Sequence, residues 1–266
     1  MASLGWMALT LTLLLAVGNS LADTDPNELA GLVKETLNRF RPSYIFDNIE
    51  KKPMFSLAVS IPYDEEKEKF DVSKVEVSDE EVKKTMLQCK VHITSRVVAA
   101  TVLRWPNVLE QCPKEPVQWR DVLKNCGESK MTWLDVQKKC SDKVRDGRAD
   151  HAEYRALKHM FKTPNKNDFL LFYVLASPCD KRCANPENPW NILESIKEIK
   201  KWKNYAVVFS NVFQPRNGVV IPEEDLKRAL EQLGKSVGLK NIFRCSKGKC
   251  ESCSDDNKVT SFCVRD

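Results

Sequence analysis

After its first 22 residues this chain has no apolar run approaching the roughly 20 residues that a bilayer-spanning helix requires. Met1 to Ala22 contains no charged side chain, and its apolar stretch from about Trp6 to Val17 is too short for a comfortable span. With small residues at the cleavage-reading positions of Ser20-Leu21-Ala22, the segment reads as a signal peptide. The mature chain is then Asp23 to Asp266, secreted and without a membrane span. No N-x-S/T sequon is present, so secretion would not depend on N-glycosylation. Long blocks of one charge sign are also absent. The net charge of +5 comes from finely mixed acidic and basic residues, the pattern of an ordinary solvated surface. It permits a polyanionic partner without requiring one. The basic run Lys197, Lys200, Lys201 and Lys203 reads as such a face.

Cysteine, by contrast, is plentiful, with ten in the chain. That number suits an oxidising compartment, where thiols pair. Eight fall into two clusters of four, Cys89, Cys112, Cys126 and Cys140 in one and Cys245, Cys250, Cys253 and Cys263 in the other. Each cluster is even and can close its own disulfides, with connectivity left open. Cys179 and Cys183 stand outside both.

Apolar spacing predicts an amphipathic helix over Glu28 to Phe40, closed by Arg41-Pro42. Met54 to Ile61 and Val97 to Leu103 read as strands, and Ser78-Asp79-Glu80-Glu81 as a capping box for a helix toward Lys90. From Asp150 onward strand and helix alternate. Asp150 caps a helix with inner face Tyr154, Leu157 and Phe161, and Phe169 to Leu175 is a strand covered on both faces. Asn188-Pro189 opens a helix through Ile192, Ile196, Ile199 and Trp202, Tyr205 to Phe209 is a short strand, Pro222 to Leu233 a helix, and Lys240 to Arg244 a last strand. Such alternation implies parallel neighbouring strands with helices on the sheet faces.

Between these parts lies a fourteen-residue repeat: Trp105, Val108, Leu109, Cys112; then Trp119, Val122, Leu123, Cys126; then Trp133, Val136, Gln137, Cys140. Within each unit these positions form one stripe of a short helix. No unit is long enough to be stable alone, so packed tryptophans and disulfides involving Cys89 and the repeat cysteines must hold them. A stapled insertion is the favoured reading over a lid or recognition surface.

His151-Ala152-Glu153 and Ser177-Pro178-Cys179-Asp180-Lys181-Arg182-Cys183 carry the chemistry. One imidazole and two thiolates can hold Zn²⁺ with a fourth position open, while Glu153, not a ligand, stands beside the bound water. Zinc lowers the pKa of that water toward ~7. A helix beginning near Cys179 would present amide N–H groups that keep the sulfurs deprotonated. The competing reading is a Cys179 to Cys183 disulfide, with His151 a surface histidine and Glu153 part of a cap.

These motifs resemble the zinc-dependent cytidine deaminase superfamily, and with the signal peptide they resemble its secreted novel AID/APOBEC-like deaminase branch. The resemblance implies an α/β, cytidine-deaminase-like three-layer fold: a five-stranded mixed sheet flanked by helices, here with a disulfide-stapled helical insertion at about 105–146. It divides the chain into a signal peptide (1–22), a deaminase domain (23–245) and a cysteine-rich tail (246–266). A helix between the last two strands makes them parallel, as in enzymes acting on polymers. The implied activity is deamination of cytosine in single-stranded nucleic acid, with Glu153 catalytic, His151, Cys179 and Cys183 on zinc, and substrate contacts at Ser177, Phe213 and Arg216. Two departures stand out. Leu175-Ala176 precede Ser177 where those relatives carry a tryptophan, and Ala184 to Pro189 form a loop bordering the site where the relatives continue a helix. A free nucleoside or nucleotide substrate, or a catalytically silent zinc- and disulfide-stabilised binding protein, are the alternatives.

Overall fold

The computed structural model describes residues 24–165, 167–215 and 218–265. Met1 to Ala22, the segment expected to be a signal peptide, and Arg216 lie outside the described residues. Among the described residues no helix is long and apolar enough to cross a membrane.

One sheet organises the chain. Its strands are β1 (Phe55–Ile61), β2 (His92–Ile93), β3 (Val97–Thr101), β4 (Phe169–Ala176), β5 (Asn204–Asn211), β6 (Ile242–Ser246) and β7 (Lys249–Ser252), in the spatial order β7-β6-β5-β4-β1-β3-β2. The pairs β4–β5 and β5–β6 are parallel, and all other neighbours are antiparallel. Every residue of β1 and β3 is buried, as is nearly every residue of β4. Alternation sends Leu170, Phe172 and Val174 into a core on one face, and Phe169, Leu171 and Tyr173 into a core on the other.

Helices cover both faces. On one lie α1 (Pro26–Phe40), started by Asp25 accepting from the Asn27 amide, and α2 (Asp79–Leu87), started by Ser78 accepting from the Glu81 amide. They bury Leu29, Leu32, Val33 and Phe40, and Val82 and Met86. On the other lie α6 (Ala152–Leu157), a 3₁₀ turn at Ser195–Lys201, and α7 (Glu223–Val237), whose stripe is Leu226, Ala229, Leu230, Leu233 and Val237. The architecture is α/β, with the mixed sheet between helical layers.

The sheet has seven strands rather than five. The extra two are edge hairpins: β2 folds back on β3 through a turn in which Thr94 Oγ1 accepts from the Val97 amide, and β7 folds back on β6 through left-handed Lys247 and Gly248. A two-residue strand is too short to show alternation, and β7 sits in a polar, cysteine-rich tail. Val97 to Leu103 is also not one strand. It ends at Thr101, after which Leu103–Arg104 leaves the sheet to pair with Ala149–Asp150. The helix expected after Asn188 is absent apart from the 3₁₀ turn. Asn185, Asn188 and Asn191 each accept a hydrogen bond from the amide two residues on (Glu187, Trp190 and Leu193), offering the backbone an alternative to helix. In the basic run, Lys197 pairs with Glu194 and Lys201 with Glu198 on the surface.

The repeat forms three short helices, α3 (Val108–Gln111), α4 (Arg120–Asn125) and α5 (Trp133–Lys139). They enclose a third core around Trp133, which is fully buried; Trp119 meets it edge-on at 4.9 Å and Trp105 at 6.4 Å between ring centroids. Disulfides Cys89–Cys112 and Cys126–Cys140 staple this unit, and Cys245–Cys250 and Cys253–Cys263 staple the tail. Truncating Trp133 to alanine removes the centre of a small core. Urea unfolding of Trp133→Ala is expected to show a loss of about 3–5 kcal/mol, and a loss below about 1 kcal/mol would mean that this core contributes little to the fold.

Candidate metal centre

The site is built where α6 begins and β4 ends. His151 occupies the position before the first turn of α6, with extended backbone, so its side chain projects past the helix start. Cys179 and Cys183 follow β4 in a run of turns. No helix begins at Cys179; in its place the Cys183 amide N–H points at Cys179 Sγ at 3.4 Å, one local donor to that sulfur. Both cysteines are buried and unbridged, which removes the disulfide alternative.

His151 Nδ1 lies 3.0 Å from Cys183 Sγ and 3.7 Å from Cys179 Sγ, and all three donor atoms fall within 4.8 Å of one another. Tetrahedral zinc with ordinary Zn–N and Zn–S bonds would place such ligands about 3.6–3.8 Å apart. The donor set therefore fits a zinc ion with small adjustments. Glu153, one helical position past Ala152, lies outside this group, with Oε1 3.6 Å from Cys183 Sγ.

Charge in the cluster is tightly shared. A hydrogen bond from the Cys183 thiol, followed by contact with His151, holds Cys179 down at about 4, whereas the shared proton and burial push Cys183 well up. Burial alone would lower His151, but the Cys179 sulfur and Glu153 carboxylate outweigh it and raise the imidazole. Desolvation raises Glu153, with His151 opposing. A dication at the donors would replace the shared protons, since thiolate ligands bind metal deprotonated.

The cluster opens on a cavity of about 450 Å³, large enough for a small organic ligand. Its walls include Met54, Val102, Val174, Leu175, Ala176 and Phe213, with Arg104, Asn107, Glu153, Asn211 and Gln214 as polar groups. Ser177 is at this wall and ties it together: its Oγ accepts from the Phe213 amide at 2.9 Å, while its amide donates to the Asn211 carbonyl. Phe213 is half-buried against the core. Leu175 and Ala176 do form part of the wall where a tryptophan was absent. The loop after Cys183 does not border this cavity. Ala184, Asn185 and Pro186 face a separate groove against Arg228, Ala229 and Gln232 of α7.

Three supports of the site have no sequence motif. Arg155 is buried on α6 and donates to the carbonyls of Thr101 and Cys89 and to Gln118 Oε1, linking the helix of Glu153 to β3 and to the stapled insertion. Burial lowers it to about 10, so it remains a cation at neutral pH. Asp150 does not cap α6. Its carboxylate instead accepts from Trp119 Nε1 at 2.9 Å and pairs with Arg182, which also donates to the Ala149 carbonyl. A repeat tryptophan thereby braces the backbone just before His151. No local sequence signal marks Arg155, and nothing local points to the Asp150–Trp119 bond, whose partners are 31 residues apart.

Arg155→Met should leave the Cys89 and Thr101 carbonyls short of donors and lower stability by about 3 kcal/mol in chemical unfolding; an unchanged midpoint would show that the arginine supports nothing. Alkylation of chelator-treated, denatured but unreduced protein should label Cys179 and Cys183 alone in peptide maps. Label on any other cysteine would contradict the pairing described.

Comparison with known proteins found no match among curated proteins and none among solved structures. Residues 135–266, from α5 through the tail and including His151, Glu153, Cys179 and Cys183, match the family model described as Secreted Novel AID/APOBEC-like Deaminase 1.

Proposed function

We propose that the protein is a secreted zinc-dependent deaminase that converts cytosine to uracil in single-stranded nucleic acid. The observation that carries this reading is the convergence of His151, Cys179 and Cys183 beside the Glu153 carboxylate, with His151, Cys179 and Glu153 on the wall of one cavity. The four disulfides support an extracellular setting, and the family match over the same residues supports deamination.

His151 Nδ1 and the sulfurs of Cys179 and Cys183 would hold the ion, which when bound supplies Lewis acidity that activates water near neutral pH. Glu153 then moves the protons. Its carboxylate, whose proton affinity burial raises, takes a proton from the attacking water at an Oε and delivers it to the ring nitrogen of the base, then carries the proton of the added hydroxyl to the departing amine. In the net reaction a carbon–oxygen bond forms, the exocyclic carbon–nitrogen bond breaks, and ammonia leaves. The apolar walls at Val174, Leu175 and Phe213 exclude bulk water from the base. Ser177 contributes indirectly, because its hydroxyl already holds the Phe213 amide and so sets the aromatic ring's position.

In a Glu153→Gln variant zinc content should stay unchanged, while ammonia release from cytosine-bearing oligonucleotides falls by about 10²–10⁴-fold. Undiminished turnover would remove Glu153 from the mechanism. Cys179→Ala should lose the metal, measured by elemental analysis; full zinc occupancy in that variant would contradict the ligand assignment.

A further inference from the structure

Among the described residues lining the cavity, Arg104 is the single cation and Glu153 the single carboxylate. We propose that Arg104 binds the phosphate of the nucleotide being deaminated, so that the site takes a phosphate-bearing strand in preference to a free nucleoside. The inference rests on the deaminase reading for the identity of the base, though the phosphate contact can be measured without turnover.

Position comes from an unusual piece of backbone. After Thr101 the chain leaves the sheet, and Leu103–Arg104 pairs antiparallel with Ala149–Asp150, Arg104 standing opposite Ala149. Ala149 precedes His151 by two residues, about 7 Å of extended chain, and Arg104, Ala149 and His151 all line the one cavity. Arg104 Nη2 lies 3.8 Å from where a side chain at Gly147 would begin, and Gly147 has a left-handed φ of +72°.

Charge makes the arginine distinctive. Other arginines around the site are engaged: Arg148 pairs with Asp121 and stacks on Trp119, Arg182 pairs with Asp150, and Arg155 donates to three buried neutral acceptors. Arg104 is half-buried and makes no side-chain hydrogen bond or ion pair with any described residue. A partly desolvated guanidinium without a counter-charge gains most from a ligand that brings one, and its fork geometry suits phosphate oxygens. Asn107 on the same wall adds an amide able to donate to a sugar or phosphate oxygen.

The test is calorimetric binding to the zinc-loaded full chain, in a Glu153→Gln background so that no substrate is consumed. Deoxycytidine, its 5′-monophosphate and a cytosine-containing dinucleotide are compared. Both phosphate-bearing ligands should bind about tenfold or more tightly than the nucleoside. In Arg104→Gln that advantage should vanish while nucleoside affinity holds, and the salt dependence of dinucleotide binding should fall by about one unit of slope. Arg104→Lys keeps the charge and should retain part of the advantage. Equal binding of nucleoside and phosphate-bearing ligands, or an advantage that survives Arg104→Gln, would overturn the proposal. Ammonia release with Glu153 intact tests the deaminase reading separately, so a phosphate preference without turnover would keep this site and remove that chemistry.

Discussion

Everything at this site depends on holding one imidazole and two thiolates within ligand distance of each other when 28 residues separate His151 from Cys179. Three donors alone would repel, share protons or oxidise, and the cluster shows the second of these tendencies in the opposite displacements of Cys179 and Cys183. The fold keeps them together by burying β4 on both faces and fixing what flanks it. At its far end Ser177 is pinned to the Phe213 segment, and across the site α6 packs on β1 and β3. The cysteines follow the buried strand directly, and the histidine sits where extended backbone gives way to helix.

Holding α6 in place is a second problem, and the stapled insertion answers it. Three helices of four to seven residues cannot persist alone, yet they surround Trp133 and are closed by two disulfides. Two hydrogen-bonded links run from this unit to the site: Arg155 to the Cys89 carbonyl and Gln118, and Trp119 to Asp150. The fourteen-residue repeat thus presents an acceptor, Gln118 Oε1, and a donor, Trp119 Nε1, to the segment that carries His151 and Glu153.

Legibility in the sequence followed the range of the interactions. The buried strand before Ser177, the helix between the last two strands, the repeat and the two even cysteine clusters all follow from local composition and spacing. Short edge strands β2 and β7 were invisible because two to four residues carry no periodicity, and β7 is paired through a turn closed by a disulfide. The helix after Asn188 failed because three asparagines capture backbone amides, a competition that apolar spacing does not register. Asp150 sits where a helix cap is expected, but its partner, Trp119, is distant in sequence. Arg104 was hidden for the same reason, since only its pairing with Ala149 brings it to the cavity.

The central claim is that His151, Cys179 and Cys183 bind zinc while the other cysteines are committed to disulfides. X-ray absorption at the zinc edge of the purified full chain tests it most directly. The account predicts zinc with two sulfur neighbours at about 2.3 Å and light-atom neighbours, including one imidazole nitrogen, at about 2.0–2.1 Å. A sulfur-free shell, four sulfurs, or a chain that retains no zinc would contradict it.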